Sequence, residues 1–423
     1  MTTYYEATAT PGLRLPPLEA AAEADTVIVG GGFAGLATAL GLHERGVRDC
    51  MLLEARTIGF GASGRNGGFV SGGFSLDAAK LHRRVGREEA RRLYRMTEAA
   101  VQCIRSRIER HAIDCDAVYG GVIVASWFDE DHSLHELQRL MREEFGLHWQ
   151  WLPREELRER LRTRRYHAGL HETGAFHFNP LKYALGLARV LLSAGVRLHE
   201  MTHVRDIRRA GGQWEVDTGV TTVRCRRVVV CAGGYLDGLC RPLARAALPI
   251  ATYVMATEPL GARLADAIRT DAAVFDTRFA FDYYRPLTDT RLLWGGRMSI
   301  RQRSPAEIER LLYHDLLRVY PQLEGVKVTH AWSGLMSYGR HSMPQIGQLE
   351  DGLWYAYGFG GHGVAPTTLG GEVLARAITR EEEIPAGLRA YGLEPVYGKA
   401  GLLAAQCLYW SLQARDALLD WWH

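Results

Sequence analysis

Gly30-Gly31-Gly32-Phe33-Ala34-Gly35 sets three glycines at the spacing G-x-G-x-x-G. That spacing suits a pyrophosphate. The first glycine permits a tight turn, the second lets a phosphate approach the backbone, and the third lets a helix pack close to a strand. The amides that open the helix, including those of Phe33 and Ala34, would offer free N–H groups and a positive dipole end to the anion. Glu54 and Ala55 follow about 20 residues later, the acid placed to accept ribose hydroxyls. The competing reading is a glycine-rich turn in some other α/β unit. The flanks favour the dinucleotide: Asp25–Gly30 is a short apolar run, and Phe33, Leu36, Ala37 and Leu40 follow at helical spacing.

The loop after Glu54 distinguishes a flavin dinucleotide from a nicotinamide one. Gly59–Gly68 supplies many backbone N–H groups together with Ala62, Ser63, Arg65, Asn66, Gly67 and Gly68. Such a loop makes an anion-binding nest and can reach a flavin ring. A flexible linker is the alternative, but a linker has no need of Phe60, Phe69, Val70 and Phe74.

These residues require a β-α-β unit, with Cys50–Glu54 as its second strand. Pro180 opens a further helix that stops at Gly195. Strand patterns return at Val196–Glu200, Val204–Ala210, Trp214–Thr218 and Val228–Cys231, with a hairpin turn at Ala210–Gln213. The 423 residues suit two domains. The expected division is an N-terminal arm (1–24), a Rossmann-type FAD-binding domain (25–75, 175–246 and 335–423), and a substrate domain (76–174 and 247–334). A net charge of +3 is too small and too dispersed for nucleic acid. Seven cysteines without a CxxC pair suggest neither a disulfide framework nor zinc, and the histidines show no metal-ligand spacing, so no metal is expected. The arm lacks the features of a secretory leader, and no apolar run is long enough for a transmembrane segment. A reducing, cytoplasmic location is expected.

Four stretches carry a more specific likeness. They are Tyr4-Tyr5; Gly61-Ala-Ser-Gly-Arg-Asn-Gly-Gly68; Val228-Val-Val-Cys-Ala-Gly-Gly234; and Trp354-Tyr-Ala-Tyr-Gly-Phe-Gly-Gly-His-Gly-Val364. Together they resemble the D-amino-acid oxidase / glycine oxidase superfamily of flavoenzymes, and within it the gamma-glutamylputrescine oxidase type. The resemblance implies an α/β fold: a glutathione-reductase-like FAD domain and an α+β substrate domain built on an antiparallel sheet. It implies that the Val204 backbone reaches the adenine and that Ala232, Gly233 and Gly234 pass the ribityl region. It places Gly360, Gly361, His362, Gly363 and Val364 beside the isoalloxazine, with a helix from about Thr367 aimed at the pyrimidine edge. A helix dipole there favours reduction by ~0.3–2 kcal/mol.

His362 is either a cofactor or substrate contact or a residue that fixes its own loop. Tyr283 or Tyr284, Trp294, Arg297 and Trp332 are pocket candidates by the same resemblance, with packing as the alternative for each. Sarcosine-type relatives carry a lysine after the Gly-His-Gly step, where Val364-Ala-Pro366 stands here, and no lysine matches the one some oxidases hold over the flavin. Residues 332–364 contain no cysteine, so FAD is expected to bind without a covalent link. The implied activity is oxidation of a small-molecule amine (polyamine, alkylamine or gamma-glutamyl amine). Hydride transfer to FAD gives an imine, then aldehyde and ammonia, with O₂ (yielding H₂O₂) or another acceptor taking the electrons. The first alternative is an amino-acid oxidase or dehydrogenase, which needs an arginine such as Arg285, Arg297 or Arg340 as carboxylate clamp. The second is a non-catalytic flavin-bound protein.

Overall fold

The computed structural model describes residues 2–9 and 13–422, so parts of the expected arm and position 423 lie outside the described residues. The Asp25–Gly30 run forms the strand Ala22–Val29, whose last residues are buried on both faces. Such a strand belongs inside a parallel sheet covered on both sides. It pairs in parallel with Cys50–Leu53 on one flank and Thr222–Val230 on the other. The full order is Gln345–Glu350, Leu353–Tyr357, Thr222–Val230, Ala22–Val29, Cys50–Leu53, Arg197–His199. Only the first of these runs antiparallel to its neighbour. A hairpin, Asp206–Ala210 with Gln213–Asp217, adds antiparallel to the early half of Thr222–Val230. Its turn residues Gly211 and Gly212 both have positive φ, as the tightest hairpin turns require.

The parallel strands all end on one edge, so the turns that follow Val29, Leu53 and Val230 gather there. Ligands bind at that edge in open α/β sheets. The helix Phe33–Glu44 is buried along most of its length and packs on the helix Val364–Ile378. Close approach is possible because Gly41 faces Ala375 and Gly371 faces Ala37.

The second sheet runs Val328–Gly339, Ala247–Thr257, Leu292–Ser299, Asp282–Pro286, Ala273–Asp276, Val122–Ala125, Gly169–Glu172, Gln150–Leu152. It is antiparallel except for one pair, Ala273–Asp276 with Val122–Ala125. These two strands come from distant parts of the chain, so no hairpin dictates their relative direction. The helix Pro305–Val319, opened by a Ser304/Glu307 capping box, covers one face with Ile308, Leu312 and Leu316. The other face turns toward the dinucleotide edge.

Packing does not follow the expected domain boundaries. Helices Ala78–Val85 and Arg87–Arg110 place Leu81, Leu93, Val101 and Ile104 in one core with Leu36 and Leu374, on the dinucleotide side. Position 335 falls inside the strand Val328–Gly339, which lies wholly in the second sheet. The C-terminal helix Gly398–Trp422 bonds to the second sheet, through Gln406 to Ser299 and the Ile300 amide. The expected arm also gives up Ala22–Ala24 to the first strand and forms a short helix, Tyr4–Thr8.

Candidate active site

Gly30 takes φ +111°, and a Cβ there would lie 2.6 Å from the Cys231 carbonyl oxygen. Any side chain at Gly35 would collide with the Gly30 carbonyl. The motif therefore brings its turn against Cys231-Ala232, the end of the neighbouring strand. Gly32 caps the helix Phe33–Glu44 without a side-chain hydrogen bond. Ser63 Oγ instead accepts from the Phe33 amide at 2.9 Å, and a Cβ on Gly32 would sit 2.9 Å from that hydroxyl. The glycine motif and the second loop thus meet over one helix N-terminus. Only the amide of Phe33 belongs to the site; its ring is buried against Phe178 and Tyr183. Ala34 and Gly35 lie in the first turn, whose N–H groups have no intrahelical acceptor.

Glu54 ends the second strand. Its carboxylate accepts from the Gly31 amide at 2.7 Å and from the Arg56 amide at 2.8 Å, which braces the turn, and burial pushes its pKa up. Ala55 follows on the exposed side. Val204 is buried, and its peptide bonds to none of the described residues. Ala232 and Gly233 continue along the edge, half-buried like Gly30, Gly32 and Ala62.

Three consecutive carbonyls of the second loop are held from behind. Arg65 O accepts from Trp332 Nε1 at 3.0 Å, Asn66 O from the Tyr5 hydroxyl at 2.8 Å, and Gly67 O from Arg285 Nε at 2.6 Å. The Asn66 side chain completes the loop, donating to Ala62 O and Ser63 O and accepting from the Gly68 amide. Arg65 donates to Phe60 O at 2.7 Å and lies over the Phe60 ring. Trp332 thus stands behind the loop with Tyr4 and Tyr5 and does not line an open pocket.

Alternation along Asp282–Pro286 decides between the two tyrosines. Tyr283 faces the dinucleotide side, and its ring would meet a Cβ on Gly67 at 2.6 Å. Tyr284 faces the other way, stacked on Trp294 at 4.4 Å with its hydroxyl bonded to Tyr320. Tyr284 and Trp294 are core residues of the second domain and leave the candidate set. Arg297 leaves it too. Its guanidinium holds Asp315 through two bonds, 2.6 and 2.7 Å, on the helix-covered face. Arg285 does lie on the correct face, but it is buried and committed to Gly67 O, Phe178 O, the Tyr5 hydroxyl and His177. Arg340 is exposed at a turn.

The loop Gly360–Val364 lies against Tyr338, whose hydroxyl donates to Met298 Sδ at 3.7 Å. The His362 amide donates to Ser75 Oγ at 2.8 Å, and its Nε2 lies 3.2 Å from Ser71 O. Burial lowers its pKa, which keeps the imidazole neutral with Nε2–H as donor. The ring therefore ties two loops together. The helix beyond begins at Val364, three residues before the expected start, capped by Gly363 without a side-chain bond. Pro366 sits in its first turn, where no N–H is needed. Tyr5, Ser71, Ser75 and Tyr338 carry no local sequence signal for these roles; each depends on a contact far along the chain.

The model of the family described as "DAO: FAD dependent oxidoreductase" matches residues 25–377. The gamma-glutamylputrescine oxidoreductase of Escherichia coli is 35% identical over 384 residues, 90% of this chain and 89% of that protein. A probable oxidoreductase, OrdL, of Haemophilus influenzae is 32% identical over 402 residues, 94% and 92% of the two chains. Among solved structures, the glycine oxidase of Geobacillus kaustophilus superposes with a TM-score of 0.74 at 24% identity, covering 88% of this chain and 99% of that one. The chain belongs to the FAD-dependent oxidoreductase family.

FAD is the cofactor of that family, and the residues present fit it. Two helices, starting at Phe33 and Val364, reach the same edge without side-chain caps. Each offers free amides to a negative group, one suited to the pyrophosphate and one to the pyrimidine oxygen of a reduced flavin. Among the described residues no metal-binding cluster occurs, and no helix is long and apolar enough to cross a membrane.

Proposed function

We propose that the protein oxidises a small amine that carries no carboxylate on the reacting carbon, such as a polyamine, an alkylamine or a gamma-glutamyl amine. One observation carries this reading. Of the arginines named above as carboxylate clamps, Arg285 and Arg297 are engaged elsewhere and Arg340 is exposed at a turn. A buried carboxylate without a cation costs several kcal/mol, roughly 3–5, which is orders of magnitude in affinity. The 35% identity to a gamma-glutamylputrescine oxidoreductase supports the same class.

Bound FAD supplies the two-electron acceptor for the C–N bond. The chain supplies position and a dry surface. Tyr283, Tyr338 and Met298 offer aromatic and thioether walls beside the loops, suited to an uncharged amine. His362 holds the Gly360–Val364 loop and remains neutral, so it adds no charge to repel an ammonium group as it deprotonates. The cofactor contacts in this reading are Gly30, Gly32, Phe33, Ala34, Gly35, Glu54 and Ala55; Ala62, Ser63 and Arg65–Gly68; Val204, Ala232 and Gly233; and Gly360–Val364. Tyr283 and His362 are the residues nearest the substrate. We place the enzyme in the cytoplasm, in keeping with seven free cysteines, with O₂ or another acceptor taking the electrons.

The test is an anaerobic screen scored by bleaching of the flavin band, followed by kcat/KM for an amine and its α-carboxylated counterpart. The amine is expected to win. An amino acid preferred about tenfold, about 1.4 kcal/mol of transition-state binding, overturns the reading.

A further inference from the structure

The C-terminal helix Gly398–Trp422 spans about 37 Å at 1.5 Å per residue. Its outer face carries an unusual share of large apolar residues. The face turned toward the protein mixes apolar Tyr409, Leu402 and Leu412 with polar Gln406, Gln413, Asp416 and Asp420. Gln406 is buried against Ser299, and Asp416 accepts from the Ala280 amide at 3.1 Å. Asp420 bonds Trp127 Nε1 at 3.0 Å, Arg318 at 2.8 Å and Arg165. The residues turned outward include Leu403, Leu408, Trp410, Leu418 and Leu419, with Trp410 60% and Leu418 62% exposed. A helix on a water-facing surface keeps its large apolar residues on the inner face.

The charges sort in the same sense. Both acids of the helix, Asp416 and Asp420, point inward, while Arg415 and Lys399 point outward. Around it lie further bases that form no ion pair among the described residues. Arg162 and Arg164 line a basic hollow with Arg165 and Arg318 at the C-terminal end. Arg301 follows Ile300, whose amide bonds Gln406 in the middle of the helix. Arg245, exposed, lies near its N-terminal end, where the Arg245 backbone carbonyl accepts from the Val396 amide at 2.8 Å. An apolar stripe with an indole, rimmed by unpaired arginines, is complementary to an anionic lipid surface.

We propose that the outward face of this helix docks the protein onto an anionic lipid bilayer, lying in the headgroup plane. Leu408, Trp410 and Leu418 enter the acyl boundary, and the arginine rim meets the phosphates. No helix is apolar enough to span, so the attachment is peripheral and salt-sensitive.

The experiment is co-sedimentation of the holoenzyme with vesicles of phosphatidylcholine alone, or with about one-third phosphatidylglycerol. Binding is expected only to the anionic vesicles, falling as salt rises. The variant Leu408→Glu/Leu418→Glu should lower the bound fraction at least about tenfold with the flavin spectrum unchanged. Arg162→Glu/Arg164→Glu, which leaves the helix intact, should weaken binding as well. Equal binding to both vesicle types overturns the proposal, as does absence of binding at low salt. A wild-type dimer that becomes monomeric in Leu408→Glu/Leu418→Glu also overturns it and assigns the face to a second copy of the chain.

Discussion

The Tyr5 hydroxyl donates to the Asn66 carbonyl at 2.8 Å, across 61 residues of sequence. Trp332 and Arg285 hold the carbonyls on either side. With three successive carbonyls drawn to one side, the loop presents its remaining groups to the dinucleotide edge. Tyr5→Phe leaves the Asn66 carbonyl unpaired in a half-buried site, a cost of roughly 1–3 kcal/mol. The expected outcome is about tenfold weaker FAD binding, read as flavin fluorescence released on dilution. Unchanged affinity would show that the loop holds its shape without this bond.

Gly32→Val places a branched side chain against Ser63 Oγ, at the N-terminus of the first helix. The variant is expected to purify colourless while retaining its far-UV circular dichroism. In the wild type, acid precipitation should leave the flavin in the supernatant. A yellow Gly32→Val protein of normal affinity means that this turn is not the pyrophosphate site.

Arg285 and Arg297 separate by their readouts. Arg285→Met strands two buried carbonyls and a hydroxyl, so a loss of order 3–5 kcal/mol in stability is expected, seen as a lower unfolding midpoint. Arg297→Met leaves Asp315 buried without its partner and should also destabilise. Its KM for an amine should stay within about twofold, because it lies on the far face of the sheet. A large rise in KM with stability intact would return Arg297 to the substrate pocket.

His177 sets an acid limit. Its Nδ1 faces the Arg285 guanidinium at 3.2 Å and its Nε2 donates to Asp271 O at 2.8 Å. Burial first, and the guanidinium second, push its pKa down to about 3 from an ordinary 6.5. Below 6.5 the unfolded chain takes up a proton that the folded chain refuses, so stability falls with pH until the folded pKa is reached. The expected loss at about pH 5 is of order 2 kcal/mol relative to neutral pH. His177→Gln can keep both hydrogen bonds without titrating and should flatten the decline in unfolding midpoint. Identical slopes in the two proteins would contradict the assignment.

The glycine motif, its flanking strand and helix, and the Gly61–Gly68 loop were legible because their chemistry is local. A turn, a cap and a nest are each written within about ten residues. The face of a strand is not local. Tyr283 and Tyr284 read equally well as pocket residues, and only the packing of Trp294 and Tyr320 turns Tyr284 inward. Arg285 read as a clamp because its true partners, the carbonyls of Gly67 and Phe178, leave no trace in side-chain types. The packing partners of the inserted helices are hidden for a related reason. The helix Arg87–Arg110 is amphipathic in sequence, but its periodicity does not say which sheet its apolar face will find.

The proposed cofactor edge draws on positions 30, 66, 204, 232 and 364, and strands of the second sheet interrupt the chain between 66 and 204 and again between 232 and 364. No fragment of the nascent chain contains it. Closing loops of that length is slow, so the ability to hold FAD should arise late, after the central sheet has closed around the strand Leu353–Tyr357. Flavin capture then serves as a clock for completed folding. Excess FAD during refolding should raise the yield of native protein by trapping its last step while leaving the earliest collapse unaffected.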